Sequence, residues 1–337
     1  MSGGLSSGGA GGPVRLLIDG APQAYSPAAV AELLADPAAG FVRVDLVEGD
    51  PQIPHLLEDV FQVHPLALGA LGHGAPRARV EEYEEQLHIV LFAAADVDRD
   101  EPAGAGDLSP VHLFYSSRFL VVVYSGPLPA AYAGDGDGAS PAGSLPGWRV
   151  LHRALDDLVD GLFPLLDRFD ERILALEQRL DEQRDLEELQ QEIFDLRRRL
   201  VAVRRIVAPA RDRIARLASG LVGVPGMPES GLRYFRDLED HLVRVTEALD
   251  SDRDLLAGLT DVHLSTISNR MNVVMEKLSV VAGLFLPLTF ITGFFGQNFE
   301  WLVERIGGPG AFLLYGIGLQ IGAVLLLGLW FRRRGWL

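Results

Sequence analysis

The stretch LSVVAGLFLPLTFITGFF (278–295) contains no charged residue, and neither does AFLLYGIGLQIGAVLLLGLWF (311–331). As α-helices these runs are about 27 Å and about 31 Å long, enough to cross the hydrocarbon core of a bilayer. Core helices of soluble proteins rarely stay uncharged around their whole circumference over such lengths. The two runs therefore predict a hairpin of membrane-spanning helices.

Basic residues flank this hairpin unevenly. Arg270 and Lys277 precede the first run, the triplet 332–334 is all arginine, and the connecting segment 296–310 carries one arginine against two glutamates. Because basic residues concentrate on the cytoplasmic side, we expect both termini in the cytoplasm and the connection outside. The chain is thus expected in the cell inner (plasma) membrane as a multi-pass protein.

Composition narrows the possible functions. The chain has 337 residues, a formal net charge of −16 and no cysteine. The acidity argues against a nucleic-acid binder, and the absence of cysteine excludes disulfides, thiolate zinc sites and cysteine nucleophiles. No P-loop and no catalytic constellation are present, so we expect neither an enzyme nor a cofactor.

The rest of the chain changes character twice. Apolar, β-branched runs indicate strands at 14–19, 41–47, 87–94, 111–116 and 119–125, with helices at 27–35 and 64–72. The last two strands are close enough for a hairpin. We expect a disordered tail (1–13), a cytoplasmic α/β domain (14–148), a helical stalk (149–277), the first span (278–295), an external loop (296–310), the second span (311–331) and a basic cytoplasmic tail (332–337).

The stalk ends in an unusually long helix. Apolar residues recur at steps of three and four at Phe235, Leu238, Leu242, Val245, Leu249, Leu256 and Leu259. No strong helix breaker separates Leu232 from the first span, so one helix of about 60 residues is expected. Such a helix cannot bury its apolar seam alone, which suggests association with further copies of the chain.

The first span has one smaller, more polar stripe at heptad spacing, formed by Asn272, Met275, Ser279, Ala282, Leu286, Thr289 and Gly293. Its opposite side carries Val280, Leu284, Phe290 and Ile291. Small and polar residues within a membrane mark either helix packing or a surface that faces water. Two helices cannot enclose a pore, so a pore lining would require a ring of subunits.

The segment PLTFITGFFGQNFE (287–300) resembles the signature of the CorA family of divalent-cation channels, which closes its first span with Gly-Met-Asn. The tripeptide here is Gly296-Gln297-Asn298. Further similar segments follow the family order: 63–92, YFRDLEDH (234–241), GLTDVHLSTISNRMN (258–272), VMEKL (274–278) and RRRGWL (332–337).

This resemblance implies a funnel-shaped homopentamer, with an α+β cytoplasmic domain, a long α-helical stalk and two transmembrane helices per subunit. The first span would line the pore. Gly296 would offer a backbone carbonyl and Asn298 an amide oxygen to the hydrated ion at the outer mouth. The family's hydrophobic constriction would correspond to Met275, Leu278 and Leu286, and its polar pore positions to Asn272 and Thr289.

The resemblance also implies regulation by the transported ion. Asp237 and Asp261 match acidic residues at subunit interfaces, where bound Mg²⁺ keeps the channel closed. Asp96 or Asp98 would complete such a site. Crowded carboxylates repel one another and a cation removes that repulsion, so low internal Mg²⁺ would let the subunits move apart.

We therefore expect a membrane-potential-driven channel for hydrated Mg²⁺, with Co²⁺ or Ni²⁺ as further substrates. Glu300 and Glu304 would raise the cation concentration near the outer mouth. Gln297 replaces the family's methionine and EWLVERIGG (300–308) replaces Met-Pro-Glu-Leu, which leaves a ZntB-like, proton-coupled Zn²⁺ transporter as the alternative. A membrane-anchored sensor without transport is a third class.

Overall fold

The computed structural model describes residues 14–18, 21–23, 26–36, 38–49, 53–71, 77–95, 103–125, 145–182, 186–297, 300–305 and 307–336. The chain divides into two compact units, 1–259 and 260–337. The predicted tail (1–13) and the residues Asp96, Asp98 and Asn298 lie outside the described residues.

The first unit contains a seven-stranded sheet in the order β2-β1-β3-β7-β6-β5-β4. Among the described strands, β3 and β7 are the one parallel pair, and the other neighbours are antiparallel. The predicted hairpin of the last two strands is confirmed. The strands are β1 (Val14–Ile18), β2 (Ala21–Gln23), β3 (Val42–Val47), β4 (Arg79–Tyr83), β5 (Gln86–Ala94), β6 (Leu108–Ser116) and β7 (Phe119–Tyr124).

Alternate residues of the central strands enter two separate cores, as the period of two in a strand requires. Leu113 and Val122 enter the core shared with the later helices, whereas Phe114 and Val121 enter a smaller core under the early helices. Both faces of the sheet are thus covered, which explains why its strands read as nearly continuous apolar runs.

Three short helices cover the smaller core. Helix α1 (Pro27–Ala35) begins as predicted: the Ser26 side chain accepts a hydrogen bond from the Ala29 N–H at 3.1 Å, and Pro27 occupies the first turn. Helix α2 (Ile53–His55) continues into wide π-type turns over Leu56–Val60. Of the predicted helix 64–72, only α3 (Pro65–Leu68) forms.

The larger core lies between the other sheet face and four helices. They are α4 (Gly147–Asp160), α5 (Phe163–Asp181), α6 (Leu186–Ala218) and the first part of α7 (Leu232–Phe295). The 64-residue α7 confirms the prediction of one long, uninterrupted helix.

The apolar seam of α7 is covered by the chain itself. All seven predicted seam residues, from Phe235 to Leu259, belong to the larger core and are buried there. The expectation that this seam requires further copies of the chain was therefore wrong. The other stalk helices supply the apolar partners that a single helix lacks.

The second unit contains the remainder of α7 and three later helices: α8 (Glu300–Arg305), α9 (Pro309–Ala311) and α10 (Leu319–Arg333). Wide π-type turns over Phe312–Gly318 join the last two. Among the described residues, two helices are long and apolar enough to cross a membrane: Glu229–Phe295, which includes α7, and Pro309–Arg333.

Candidate functional site

The two candidate spans touch near both of their ends. The Phe331 ring lies so close to Gly283 that a Cβ atom there would be 2.9 Å from Phe331 Cζ. Near the other end, the rings of Phe295 and Tyr315 are 6.1 Å apart. Because Gly283 precedes Phe295 while Phe331 follows Tyr315, the spans run antiparallel.

One side of α7 therefore faces the second span. Val280 and Ile291 are buried, and Leu284 and Pro287 are half-buried. Together with Gly283 they recur at steps of three and four residues, which places them on one face of a helix.

The predicted pore residues occupy the opposite face of the same helix. All eight are exposed in the single chain: Asn272, Met275, Leu278, Ser279, Ala282, Leu286, Thr289 and Gly293. Phe290 had been assigned to the other side, but it is 71% exposed and lies beside this face. The stripe is thus one continuous surface that the second span leaves open. We call it the α7 stripe.

The hydroxyl groups on this part of α7 are held by their own helix. Ser279 Oγ donates to the Met275 carbonyl at 2.7 Å, and Thr289 Oγ1 donates to the Phe285 carbonyl at 2.9 Å. Each hydroxyl proton is therefore engaged, while the oxygen lone pairs remain able to accept. Oxygens in this state suit the hydrogens of water around a cation.

Helix α7 ends at Phe295, directly before the tripeptide Gly296-Gln297-Asn298. The Gly296 N–H donates to the Thr292 carbonyl at 2.9 Å, and a Cβ atom at Gly296 would lie 2.9 Å from that same oxygen. Only glycine fits there without a shift of the backbone. Gln297 is exposed, as are Glu300 and Glu304 on α8.

A second group of chemically interesting residues lies in the first unit, between α4 and α7. His241 Nδ1 is 3.2 Å from an Asp160 oxygen and 3.6 Å from Asp156 Oδ1. One ligand atom from each residue lies within 4.8 Å of the others, so the three could hold a metal ion. We call them the Asp156–Asp160–His241 cluster.

A positive charge would be energetically favourable at this cluster. Asp156 Oδ1 is buried and has no hydrogen-bond partner among the described residues. Burial is the main cause that raises the pKa of Asp156; nearby His152 and His241 oppose this, whereas Asp160 and Asp237 add to it. A cation placed here would relieve both the burial cost and the repulsion.

The predicted regulatory residues separate in the structure. Asp237 is exposed and lies one turn before His241, next to the cluster. Asp261 is exposed and stands 24 residues further along α7, more than six helical turns away. The two therefore cannot share one ion within a subunit.

Asp156, Asp160 and His241 were not predicted as ligands. A signal was present: Asp156 and Asp160 are four residues apart, as are Asp237 and His241, so each pair lies on one helix face. Such pairs are also ordinary on solvated helices, and only the packing of α4 against α7 brings them together.

Comparison with known proteins assigns the chain to a family. The family described as "CorA-like Mg2+ transporter protein" matches residues 39–333. YfjQ of Bacillus subtilis, named for metal ion transport, is 30% identical over 310 residues, covering 90% of this chain and 92% of its own.

Two further relatives carry different metals in their names. The cobalt/magnesium transport protein CorA of Thermotoga maritima is 34% identical, covering 56% of this chain and 52% of its own. The zinc transport protein ZntB of Yersinia pseudotuberculosis is 32% identical, covering 59% and 58%.

Among solved structures, the CorA magnesium transporter of Methanocaldococcus jannaschii superposes with a TM-score of 0.78 at 18% identity. The match covers 96% of this chain and 98% of that one. At this identity the likeness shows the fold alone.

Proposed function

Because the chain belongs to the CorA-like family of Mg²⁺ transporter proteins, we propose that it is a channel for the uptake of hydrated divalent cations, chiefly Mg²⁺. The family consists of membrane transporters of divalent cations and not of enzymes. The observation that carries the proposal is the α7 stripe, an exposed, uncharged, partly polar surface opposite the face that packs on the second span.

The ion chemistry agrees with a lining of neutral oxygens. Mg²⁺ gives up its water reluctantly and requires octahedral coordination near 2.1 Å. Hydroxyls and amides can hydrogen-bond to the hydration shell without removing it, whereas a carboxylate ring on the axis would hold the ion too strongly for release. Gly296, Gln297 and Asn298 would form the outer binding ring, with Glu300 and Glu304 attracting cations towards it.

A pore of this kind needs several chains. We propose the homopentamer that the family resemblance implies, with each α7 stripe turned towards a common axis. Basic residues at one end of the hairpin support cytoplasmic termini in the inner membrane. The membrane potential would then drive entry, with about 4.6 kcal/mol for a divalent ion per 100 mV.

Closure would come from cations bound at carboxylates of α4 and α7. The Asp156–Asp160–His241 cluster and neighbouring Asp237 offer one such site, and Asp261 belongs to another region of α7. Filling the sites would remove repulsion between carboxylates and favour the closed arrangement.

Flux into proteoliposomes tests the transport proposal. We expect wild-type protein to admit Mg²⁺ under an imposed inside-negative potential and Asn298→Ala to lose that flux. Gln320→Ala, which removes an amide from the second span, is the matched control and should keep it. A membrane-anchored sensor would show no flux in any of the three proteins.

The same assay tests closure. Internal Mg²⁺ should inhibit wild-type flux, and the Asp237→Ala, Asp261→Ala double variant should resist inhibition. Unchanged inhibition in the double variant would refute a regulatory role for these two residues.

A Zn²⁺ transporter is the second candidate, and His241 favours it. Imidazole nitrogen suits Zn²⁺, Co²⁺ and Ni²⁺, whereas Mg²⁺ prefers oxygen. Flux of Mg²⁺, Co²⁺, Ni²⁺ and Zn²⁺ with and without a pH gradient separates the candidates. Zn²⁺ flux that requires the gradient, with no Mg²⁺ flux, would identify the second.

A further inference from the structure

Helix α10 ends in a turn that two backbone hydrogen bonds hold in place. The Gly335 N–H donates to the Arg332 carbonyl at 3.2 Å, and the Trp336 N–H donates to the Phe331 carbonyl at 3.0 Å. Gly335 has φ +76°, a left-handed conformation that residues with a Cβ atom adopt reluctantly. These two bonds form a Schellman motif, which reverses the chain at a fixed angle.

The turn places aromatic rings against the first span. Trp336 stacks on Phe331, with ring centroids 5.8 Å apart at 15°. Phe331 is only 5% exposed and lies against Gly283 of α7. The Trp336 and Phe331 rings are therefore held in one position relative to both spans of the second unit.

Cationic side chains surround these rings. Arg332, Arg333 and Arg334 are all exposed, and no salt bridge to them exists within the described part of the chain. The Arg334 guanidinium lies over the Trp330 ring at 5.2 Å, which orients it by a cation–π contact. No aspartate or glutamate follows Glu304 in the sequence.

Lys277 extends this charge to the first span. It is exposed and stands six residues before Gly283, about 9 Å along α7. Because the spans are antiparallel and meet at Gly283 and Phe331, this direction is also the one in which the arginines leave α10. The patch thus combines four cations at one end of an apolar hairpin.

We propose that this C-terminal patch binds the phosphate of an anionic phospholipid in the leaflet that surrounds it. Guanidinium groups match phosphate geometry in pairs, and indole rings such as the exposed Trp330 and Trp336 prefer the depth of lipid headgroups. A lipid fits better than a soluble anion, since the patch directly continues a 25-residue apolar helix. The inference rests on the proposed membrane insertion but not on ion conduction.

Binding is tested with the full chain in nanodiscs of phosphatidylcholine, with and without phosphatidylglycerol. We expect phosphatidylglycerol to raise the melting temperature of the wild type and to remain bound in native mass spectra. The Arg332→Gln, Arg333→Gln, Arg334→Gln variant should lose both effects. The matched control neutralises three arginines of α6, Arg211→Gln, Arg213→Gln, Arg216→Gln, and should keep both.

A second variant separates a formed site from simple charge attraction. Gly335→Ala keeps every cation but disfavours the turn, so we expect several-fold weaker retention of phosphatidylglycerol. Equal retention by Gly335→Ala and wild type, or by the C-terminal arginine variant, would overturn the proposal. Displacement of the lipid by soluble glycerol phosphate would also overturn it. Ion flux is not a readout here, so a failed channel proposal would leave this result interpretable.

Discussion

At the scale of single residues, Asp252 of α7 combines a charge with almost complete burial. The residue is 3% exposed, and its Oδ2 atom has no hydrogen-bond partner among the described residues. Burial, followed by a hydrogen bond to Asp170 of α5 and the charge of Asp170, raises the pKa of Asp252 to about 7. Asp252 therefore keeps its proton in acidic solution and loses it as the pH rises through about 7.

Asp252→Asn should stabilise the protein in alkaline solution. The pKa of Asp252 is higher in the folded state than the ordinary value of 3.8, so its contribution to stability is full below that value and is lost as the pH rises towards 7. At about pH 8 the asparagine should raise the free energy of unfolding by about 2–4 kcal/mol, since each unit is worth about 1.4 kcal/mol. Denaturant titration across pH measures this.

The exposed Glu247 on the same helix supplies the control. Glu247→Gln should follow the wild-type pH dependence. If Asp252→Asn also follows it, the pKa of Asp252 is not raised in the folded protein.

At the scale of helices, sequence pattern predicted individual elements better than the contacts between them. The apolar residues at steps of three and four were sufficient to predict α7, because the buried face of a helix repeats with the helical period. Helix 64–72 was too long because an apolar run alone does not fix where a helix stops. The Asp156–Asp160–His241 cluster was missed because it forms only where α4 packs against α7. The sequence pattern of either helix alone does not show which other helix it packs against.

The packing of the two spans depends on Gly283. A methyl group there would meet Phe331 Cζ at 2.9 Å, and Phe331 is held in turn by Trp336. Gly283→Ala should therefore destabilise the protein by about 1–3 kcal/mol, the usual cost of overpacking. Denaturant unfolding in one detergent measures the change.

Two further variants test this contact. Gly322→Ala on α10 has no atom within 4 Å of the new methyl group and should be neutral or slightly stabilising. Replacing the ring in the double variant Gly283→Ala, Phe331→Leu should recover part of the lost stability. A loss of the same size in Gly322→Ala would mean that the spans do not depend on this contact.

The Asp156–Asp160–His241 cluster should bind divalent cations. Asp156→Asn and Asp160→Asn should each weaken metal binding by ~10-fold or more, because the loss of a group that only supports a metal ligand already lowers the affinity by that factor. His241→Ala should weaken Zn²⁺ and Co²⁺ more than Mg²⁺. The concentration dependence of the melting temperature on each metal measures the affinities.

Asp240→Asn removes an exposed carboxylate next to the cluster and serves as its control. A loss of affinity in Asp240→Asn equal to that in Asp156→Asn would show that general acidity binds the ions and that the three residues form no site.

At the scale of the whole molecule, the α7 stripe and not the apolar seam of α7 is the surface available for assembly. The seam from Phe235 to Leu259 suggested further copies, yet the chain buries that seam in its own core. The α7 stripe remains uncovered, and the sequence had assigned it to a pore. A hydrophobic repeat shows that a partner is needed but does not say whether the partner belongs to the same chain.

Because the chain has no cysteine, single substitutions can report which surfaces meet. Leu286 is 75% exposed on the α7 stripe, whereas Ile291 is 9% exposed on the face towards the second span. Under mild oxidation, Leu286→Cys should form disulfide-linked pairs of subunits, and Ile291→Cys should not. Non-reducing electrophoresis gives the result.

Leu325 is 61% exposed on α10 and controls for random collision. Leu325→Cys should cross-link far more weakly than Leu286→Cys. Equal cross-linking of these two would place the stripe in lipid and end the case for a shared axis.

Pro287 makes the first span easier to bend at one position. A proline has no N–H to donate, so the carbonyl of Gly283, four residues earlier, loses its usual partner within the helix. That carbonyl belongs to the residue on which Phe331 rests. In a channel lined by such helices, the first span would bend most easily between Gly283 and Pro287. A small shift of the Phe331 ring would then change the width of the channel.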